Sequence, residues 1–102
     1  MTGVGQSSIL SYEFPVGTVT AELRRPPRWA RVGTNVQLDV SLTRAMPIQW
    51  RWAPDDSMEG SVMQSAPVFE GGVLDLPISK GQFAFVELYV GTQRIWRGWV
   101  GP

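Results

Sequence analysis

Few residues in this chain could do chemistry, and their types restrict the reactions available to it. The 102 residues include no histidine and no cysteine. A Ser-His or Cys-His nucleophile, a zinc-thiolate site and a disulfide are therefore excluded. Ser79 and Lys80 are adjacent in a predicted turn, which is not the S-x-x-K spacing of an acyl enzyme. No carboxylate pair has a useful spacing, so we expect no catalytic residues, no cofactor and no enzymatic activity.

Three acids between Pro54 and Ser61 are the candidate metal ligands. Asp55, Asp56 and Glu59 carry the oxygen ligands that calcium prefers. They lack the D-x-D-x-D-G spacing that makes such an assignment specific. A solvated acidic turn is the favoured interpretation, so we predict no metal site.

Arginine and tryptophan form a second group of candidates, because arginine beside an exposed ring is typical of protein-contact surfaces. In RRPPRWAR, residues 24–31, adjacent prolines exclude a central strand, and Trp29 is the best candidate for an exposed ring. Trp96 and Trp99 are an odd number of residues apart in the last predicted strand, so in a regular strand their side chains point to opposite faces. One of them then faces outward, unless a bulge at Gly98 brings both rings to one face. The predicted partner-contact residues are Arg24, Arg25, Arg28, Trp29, Arg31, Arg94, Trp96, Arg97 and Trp99.

Net charge and hydropathy limit the classes of partner and the cellular compartment expected for this chain. The net charge is zero, which argues against a general nucleic-acid binder. Arginines dominate residues 24–51 and acids dominate residues 55–87. Either interleaved strands mix the two halves, or the module docks on copies of itself or on a charged surface. No signal peptide or membrane span is visible, so we expect a chain made in the cytoplasm and not exported.

Hydrophobic residues alternate at period two along most of the chain, which predicts an all-β protein. No internal repeat or linker divides it, so one domain is expected over residues 13–102, preceded by a loose N-terminal arm, residues 1–12. Pro67 predicts an edge strand, and Gly71-Gly72 predicts a turn before the next strand. The predicted strands are residues 16–23, 36–43, 48–52, 62–69, 73–78, 83–90 and 94–100.

About seven short antiparallel strands predict a β-sandwich. The segment Gly33-x-x-Val36-x-Leu38-x-Val40, with Trp50 ten residues later, resembles the second and third strands of a disulfide-free immunoglobulin-like domain. Phe83 and Phe85 would then take the places of the corner tyrosine and the second cysteine. Trp50 is predicted to fill the core, and Trp52 lies either in the core or at its rim. The predicted core residues are Val36, Leu38, Val40, Trp50, Leu74, Leu76, Phe83 and Phe85.

Three classes of function remain open. The chain resembles the small immunoglobulin-like proteins of bacteriophage virions, which decorate the capsid or join head and tail parts. This resemblance implies a structural protein that binds other subunits, either copies of itself or a capsid or tail protein, and is located in the virion. The alternative is a carbohydrate-binding module that stacks sugars on exposed tryptophans. The third class, an enzyme, would have to work with carboxylates alone.

Overall fold

The computed structural model describes residues 20–101, which form five strands and no helix. All strand pairings are antiparallel, so the predicted all-β class is confirmed. The strands join into one curled sheet in the order β1-β2-β4-β5, with β3 also paired to β2. The strands are β1 (Arg28–Val32), β2 (Asn35–Ala53), β3 (Gln64–Leu76), β4 (Ala84–Val90) and β5 (Gln93–Val100).

The long strand β2 organises the sheet. Its alternation buries the even-numbered side chains from Val36 to Leu42, and Ile48 continues the same face after a bend. The bend lies between Ser41 and Met46, where the register with β3 shifts. Before the bend β2 pairs with β1 and β3, and after it β2 pairs with β4 and β3. The sheet therefore curls around one interior, which we call the inner face.

The main core fills this inner face. Leu23, just before β1, joins it through a single bridge to Leu42. Trp29, Trp50 and Trp52 are partly buried against it. Trp50 therefore lies at the edge of the core rather than at its centre. The buried members are Leu23, Val36, Leu38, Val40, Leu42, Met46, Ile48, Leu74, Leu76, Ile78, Ala84, Val86, Leu88, Ile95, Trp96 and Val100.

The prediction of Phe83 as a core residue is wrong, whereas the prediction that Phe85 is buried in a core is confirmed. Phe83 precedes β4 and is 42% exposed. Phe85 is buried, but it belongs to a separate cluster with Ala53 and Met58. The inner face of β4 is formed by the residues of opposite parity, among them Val86. Because side chains alternate across a strand, an assignment shifted by one residue reverses the face of each side chain.

The predicted division at Gly71-Gly72 is also wrong, because β3 is one continuous strand through Pro67 and both glycines. Pro67 lies where the register shifts, between the pairs Ile48 with Ala66 and Met46 with Phe69. Among residues 20–101, β3 pairs with β2 alone, so proline at this edge removes no bond to a further strand. The strand count is consequently five rather than about seven for the part described.

The last hairpin is confirmed, with Gly91 and Thr92 joining β4 to β5. Of the two alternatives for this strand, the bulge at Gly98 does not occur, and Trp96 and Trp99 face opposite sides of the sheet. The register shift lies opposite Leu88 and Tyr89 and leaves Ile95 as the extra residue. A Cβ at Gly98 would lie only 2.5 Å from Cζ2 of Trp96, so glycine makes room for that ring.

Most of the predicted first strand, residues 16–23, and the predicted arm, residues 1–12, lie outside the described residues. Within residues 20–101 no helix is long and apolar enough to cross a membrane.

Candidate functional site

The convex side of β2, β4 and β5 carries an unusual mixture of arginine, aromatic and buried acidic side chains. Directly paired residues of antiparallel strands project to the same side, so the pairings place nine residues together. We call these residues the outer face. They form three rows across the strands: Gln49, Tyr89 and Arg94; Arg51, Glu87 and Arg97; Ala53, Phe85 and Trp99.

Glu87 is the central residue of this face, and its side chain is only 5% exposed. Its Oε1 accepts hydrogen bonds from Arg51 Nε and from the Tyr89 hydroxyl, both at 2.8 Å. Its Oε2 accepts one from Arg94 Nη1 at 3.1 Å. Arg51 Nη2 also donates to the Tyr89 hydroxyl at 3.4 Å. A buried carboxylate is thus neutralised by arginines from both neighbouring strands.

The pKa values of this network follow from its contacts. Burial alone would raise the pKa of Glu87, but hydrogen bonds from Tyr89, Arg51 and Arg94 outweigh it and lower the pKa. Burial and the bond to Glu87 raise the pKa of the Tyr89 hydroxyl. The bond to Glu87 raises the pKa of Arg51. Glu87 therefore stays ionised at neutral pH, which suits an ion-pair network and not a proton donor.

The third row of the outer face is apolar. The rings of Phe85 and Trp99 meet edge to face, with centroids 5.2 Å apart and an interplanar angle of 69°. Arg97 extends over this row, with its Cζ 5.9 Å from the Phe85 centroid. Met58 buries the other side of the cluster together with Ala53. The row is therefore a packed aromatic patch with a guanidinium at its border.

Residues 54–61, the acidic loop, follow β2 at this apolar end. Asp55 Oδ1 accepts bonds from the Ser57 amide at 3.0 Å and from its hydroxyl at 2.6 Å. These bonds, the hydroxyl first, lower the pKa of Asp55. Met58 has φ 60 and is buried, so the loop turns back to place this side chain against Ala53 and Phe85. No group of three potential metal ligands is found within residues 20–101.

The predicted contact residues around β1 are mostly engaged within the chain. Arg24 pairs with Glu70 at 3.8 Å, and Arg25 pairs with Asp39 at 3.2 Å. Arg28 is exposed on β1. These contacts are at the surface, where ion pairs contribute little to stability.

Arg31 and Trp29 are the more buried members of the same segment. Arg31 donates to the carbonyl oxygens of Ile78 and Ser79, which follow β3. Trp29 is partly buried against the main core. The segment thus holds the β3–β4 connection against β1, and its ring is less exposed than the sequence predicts.

The two halves of the predicted surface do not lie on neighbouring strands. β1 pairs with β2, whereas β5 pairs with β4. Trp96 is 8% exposed in the main core, so little of its ring is available to a partner. Arg94, Arg97 and Trp99 all lie on the outer face, and the structure joins them to residues from β2 and β4.

Three residues of the Glu87 network, Arg51, Glu87 and Tyr89, were missed by the sequence prediction. Arg51 lies between Trp50 and Trp52, so the alternation of side chains along the strand already predicted that it points to the opposite side. Glu87 and Tyr89 interrupt the apolar run of β4 at the same parity. These three residues meet only because β2 pairs with β4, and alternation alone does not predict that pairing.

A shallow depression lies beside the second half of β2, at the end of the outer face that Gln49 occupies. It is lined by Pro47, Ile48 and Gln49, by residues 65–67 of β3 and by the turn residues Gly91 and Thr92. None of these side chains is charged, so the depression offers no acid or base for catalysis.

No protein-family model, curated protein or solved structure matches this chain. Its function is therefore inferred from the geometry and chemistry of its own residues.

Proposed function

We propose that this chain is a non-enzymatic module that binds another protein through its outer face. The observation that supports this most is the partly exposed ring of Trp99, which packs on the buried Phe85 and is bordered by Arg97 and by the Glu87 network. Tryptophan, tyrosine and arginine at the centre of a surface are the residues that most often dominate binding energy between proteins.

The Glu87 network supports the same function because it holds its arginines in fixed positions. Arg51 and Arg94 are bound to Glu87, yet their side chains stay 32% and 43% exposed. A guanidinium that is already ordered loses less conformational entropy when a partner carboxylate binds. The face therefore combines a hydrophobic anchor with preorganised donors.

The strand pairings support an immunoglobulin-like arrangement as part of this proposal. Divided at their register shifts, β2 and β3 each contribute two segments, which brings the segment count to seven. The first half of β2 then lies between β1 and the second half of β3. The second half of β2 lies between β4 and the first half of β3, and β5 follows β4. This order corresponds to two sheets joined by continuous, bent strands.

The biological setting we propose is the bacteriophage virion, with a role in capsid decoration or head and tail assembly. Its support is the likeness to disulfide-free immunoglobulin-like virion proteins and a composition that prefers arginine strongly to lysine. A module that acts by contact needs a docking surface and no catalytic groups, which agrees with the outer face.

Glycan binding has less support from the geometry. A sugar-stacking module needs a row of exposed rings, but Trp29, Trp50, Trp52 and Trp99 are partly buried and Trp96 is buried. Stacking on a single half-covered ring would leave most of a glycan in solvent.

Site-specific photocrosslinking in the native cells or particles tests the proposed function. A photoreactive amino acid replaces Arg97 on the outer face in one variant and Val68 in a matched control. Val68 is 75% exposed on β3 and is not one of the nine outer-face residues. Both variants are first checked for an unchanged circular-dichroism spectrum and melting temperature.

We expect a discrete protein adduct from position 97 and none of the same mass from position 68. Trp99→Ala, introduced beside the position 97 probe, should reduce the yield of that adduct. An unmodified chain at position 97, with an adduct at position 68, would contradict the proposed surface.

A further inference from the structure

The order of charges along the outer face identifies a partner class, and this inference depends on the proposed contact function. The acidic loop lies at one end, where Met58 packs against Ala53 and Phe85. Asp56 and Glu59 are exposed in that loop. Neither carboxylate pairs with another residue of the described chain, so both are available to a partner.

Beyond the loop the outer face continues with the aromatic row and then with the arginine row. Alternate residues of a strand are about 7 Å apart, so Arg97 lies about that distance along β5 from Trp99. Arg97 is exposed and makes no salt bridge to a carboxylate within residues 20–101. Along the outer face the order of features is therefore acidic, aromatic and basic.

A surface with this order is complementary to itself when one copy is turned by 180° about an axis through the aromatic row. We propose that a second copy of this chain occupies the outer face, with the acidic loop of each copy over the arginine row of the other. Trp99 and its symmetry mate then lie at the centre, where water is excluded. Each copy supplies its acidic loop to one half of the contact and its arginine row to the other, so the two halves are identical, as a twofold interface requires.

The expected affinity is modest. Three strands and three rows, extended by the acidic loop, form a surface of roughly 400 Å², about half of the ~800 Å² that each partner buries in a standard interface. Exposed ion pairs at its border are screened by salt. The dimer is therefore weak at low ionic strength and weaker at high ionic strength, unless further contacts in an assembly hold it.

Charge reversal on each side of the contact tests the arrangement by sedimentation equilibrium. One variant carries Arg97→Glu, and the other carries Asp56→Lys with Glu59→Lys. Asp55 is left unchanged because it holds the loop through Ser57. Arg44→Glu is the matched control, since Arg44 is exposed in the bend of β2 and outside the outer face.

We expect the parent to form a dimer whose dissociation constant rises at least about tenfold between 50 mM and 500 mM salt. Each reversed variant alone should associate at least about tenfold more weakly than the parent. An equimolar mixture of the two should associate more strongly than either alone, because in a mixed dimer both contacts join opposite charges. Arg44→Glu should associate as the parent does.

The proposal is overturned if the parent stays monomeric at low salt, or if the mixture associates no more strongly than the separate variants. It is also overturned if Arg44→Glu weakens the dimer as much as Arg97→Glu. A glutamate at position 97 would face Glu87 across the strands, so Arg97→Gln is measured in parallel as a milder change. It should weaken the dimer by a smaller factor, and an unchanged dimer would count against the contact.

These results separate the two proposals. A monomeric parent that still forms an adduct with a different protein from position 97 keeps the proposed function and removes the second copy as its partner. A parent without either self-association or adducts removes both.

Discussion

At the residue scale, Glu87 determines the character of the outer face. A buried carboxylate on the convex side of a sheet is costly unless it is paired, and here two arginines and a tyrosine satisfy it. The network orders the arginines, and we expect it to stabilise the sheet because it ties β2, β4 and β5 together.

We expect Glu87→Gln to lower the free energy of unfolding by about 1–3 kcal/mol at pH 7, because charged hydrogen bonds are lost. The folded pKa of Glu87 lies below its unfolded value of about 4.3. Its contribution is thus present above that pH and is lost as the pH falls through the folded pKa. When the free energy of unfolding is measured in urea from pH 7 to pH 3, it should decrease less for Glu87→Gln than for the parent. Parallel curves for the two proteins would refute a stabilising, ionised Glu87.

Gly98 shows how a small residue fixes the place of a large one. The ring of Trp96 occupies the space that a Cβ at this position would need, with Cζ2 at 2.5 Å and Cη2 at 2.7 Å. We expect Gly98→Ala to cost about 1–3 kcal/mol of stability, because the buried ring must shift. Gly71→Ala is the control, since its Cβ would find its nearest neighbour at 3.7 Å. Equal midpoints of chemical denaturation for the two variants would exclude this account of Trp96.

At the scale of the strands, alternation predicts which segments are extended but not how they pair. The alternation from Val36 to Leu42 predicted the buried face of β2. Gly91 predicted the hairpin between β4 and β5. The continuity of β3 was not predicted, because Pro67 and Gly71-Gly72 are typical of turns. Pairing along the bent β2 overrides that local preference. The placement of Phe85 in a separate cluster has the same origin, because a strand's face depends on what packs against it.

Arg31 connects two elements that are distant in sequence. It donates to the carbonyl oxygens of Ile78 and Ser79, and its Nε is buried without a partner among residues 20–101. We expect Arg31→Lys to cost about 1–2 kcal/mol, because lysine cannot reproduce the forked contact. Amide hydrogen exchange should become faster in residues 77–83. Arg28→Lys, an exposed change on the same strand, should leave both quantities unchanged, and an equal effect of the two changes would contradict the role given to Arg31.

At the scale of the whole molecule, the fold mixes the basic and acidic halves of the sequence. Arg24 pairs with Glu70, and Arg51 pairs with Glu87. The split in charge is therefore partly neutralised inside one chain, as interleaved strands predict. Asp56, Glu59 and Arg97 are not part of that neutralisation, and they lie on or beside the outer face. These charges, with Trp99 between them, give the molecule the surface that we assign to protein contact.

The indole N–H signals of the five tryptophans test this assignment most directly. In a dilution series of ¹⁵N-labelled protein at low salt, each assigned signal reports the surroundings of one ring. We predict that the Trp99 signal shifts with concentration, whereas Trp96 in the core and Trp29 on β1 stay unchanged. Arg44→Glu should give the same series, and Arg97→Glu should abolish the shift. A concentration-dependent shift confined to Trp29, or no shift at Trp99, would contradict contact between copies through the outer face.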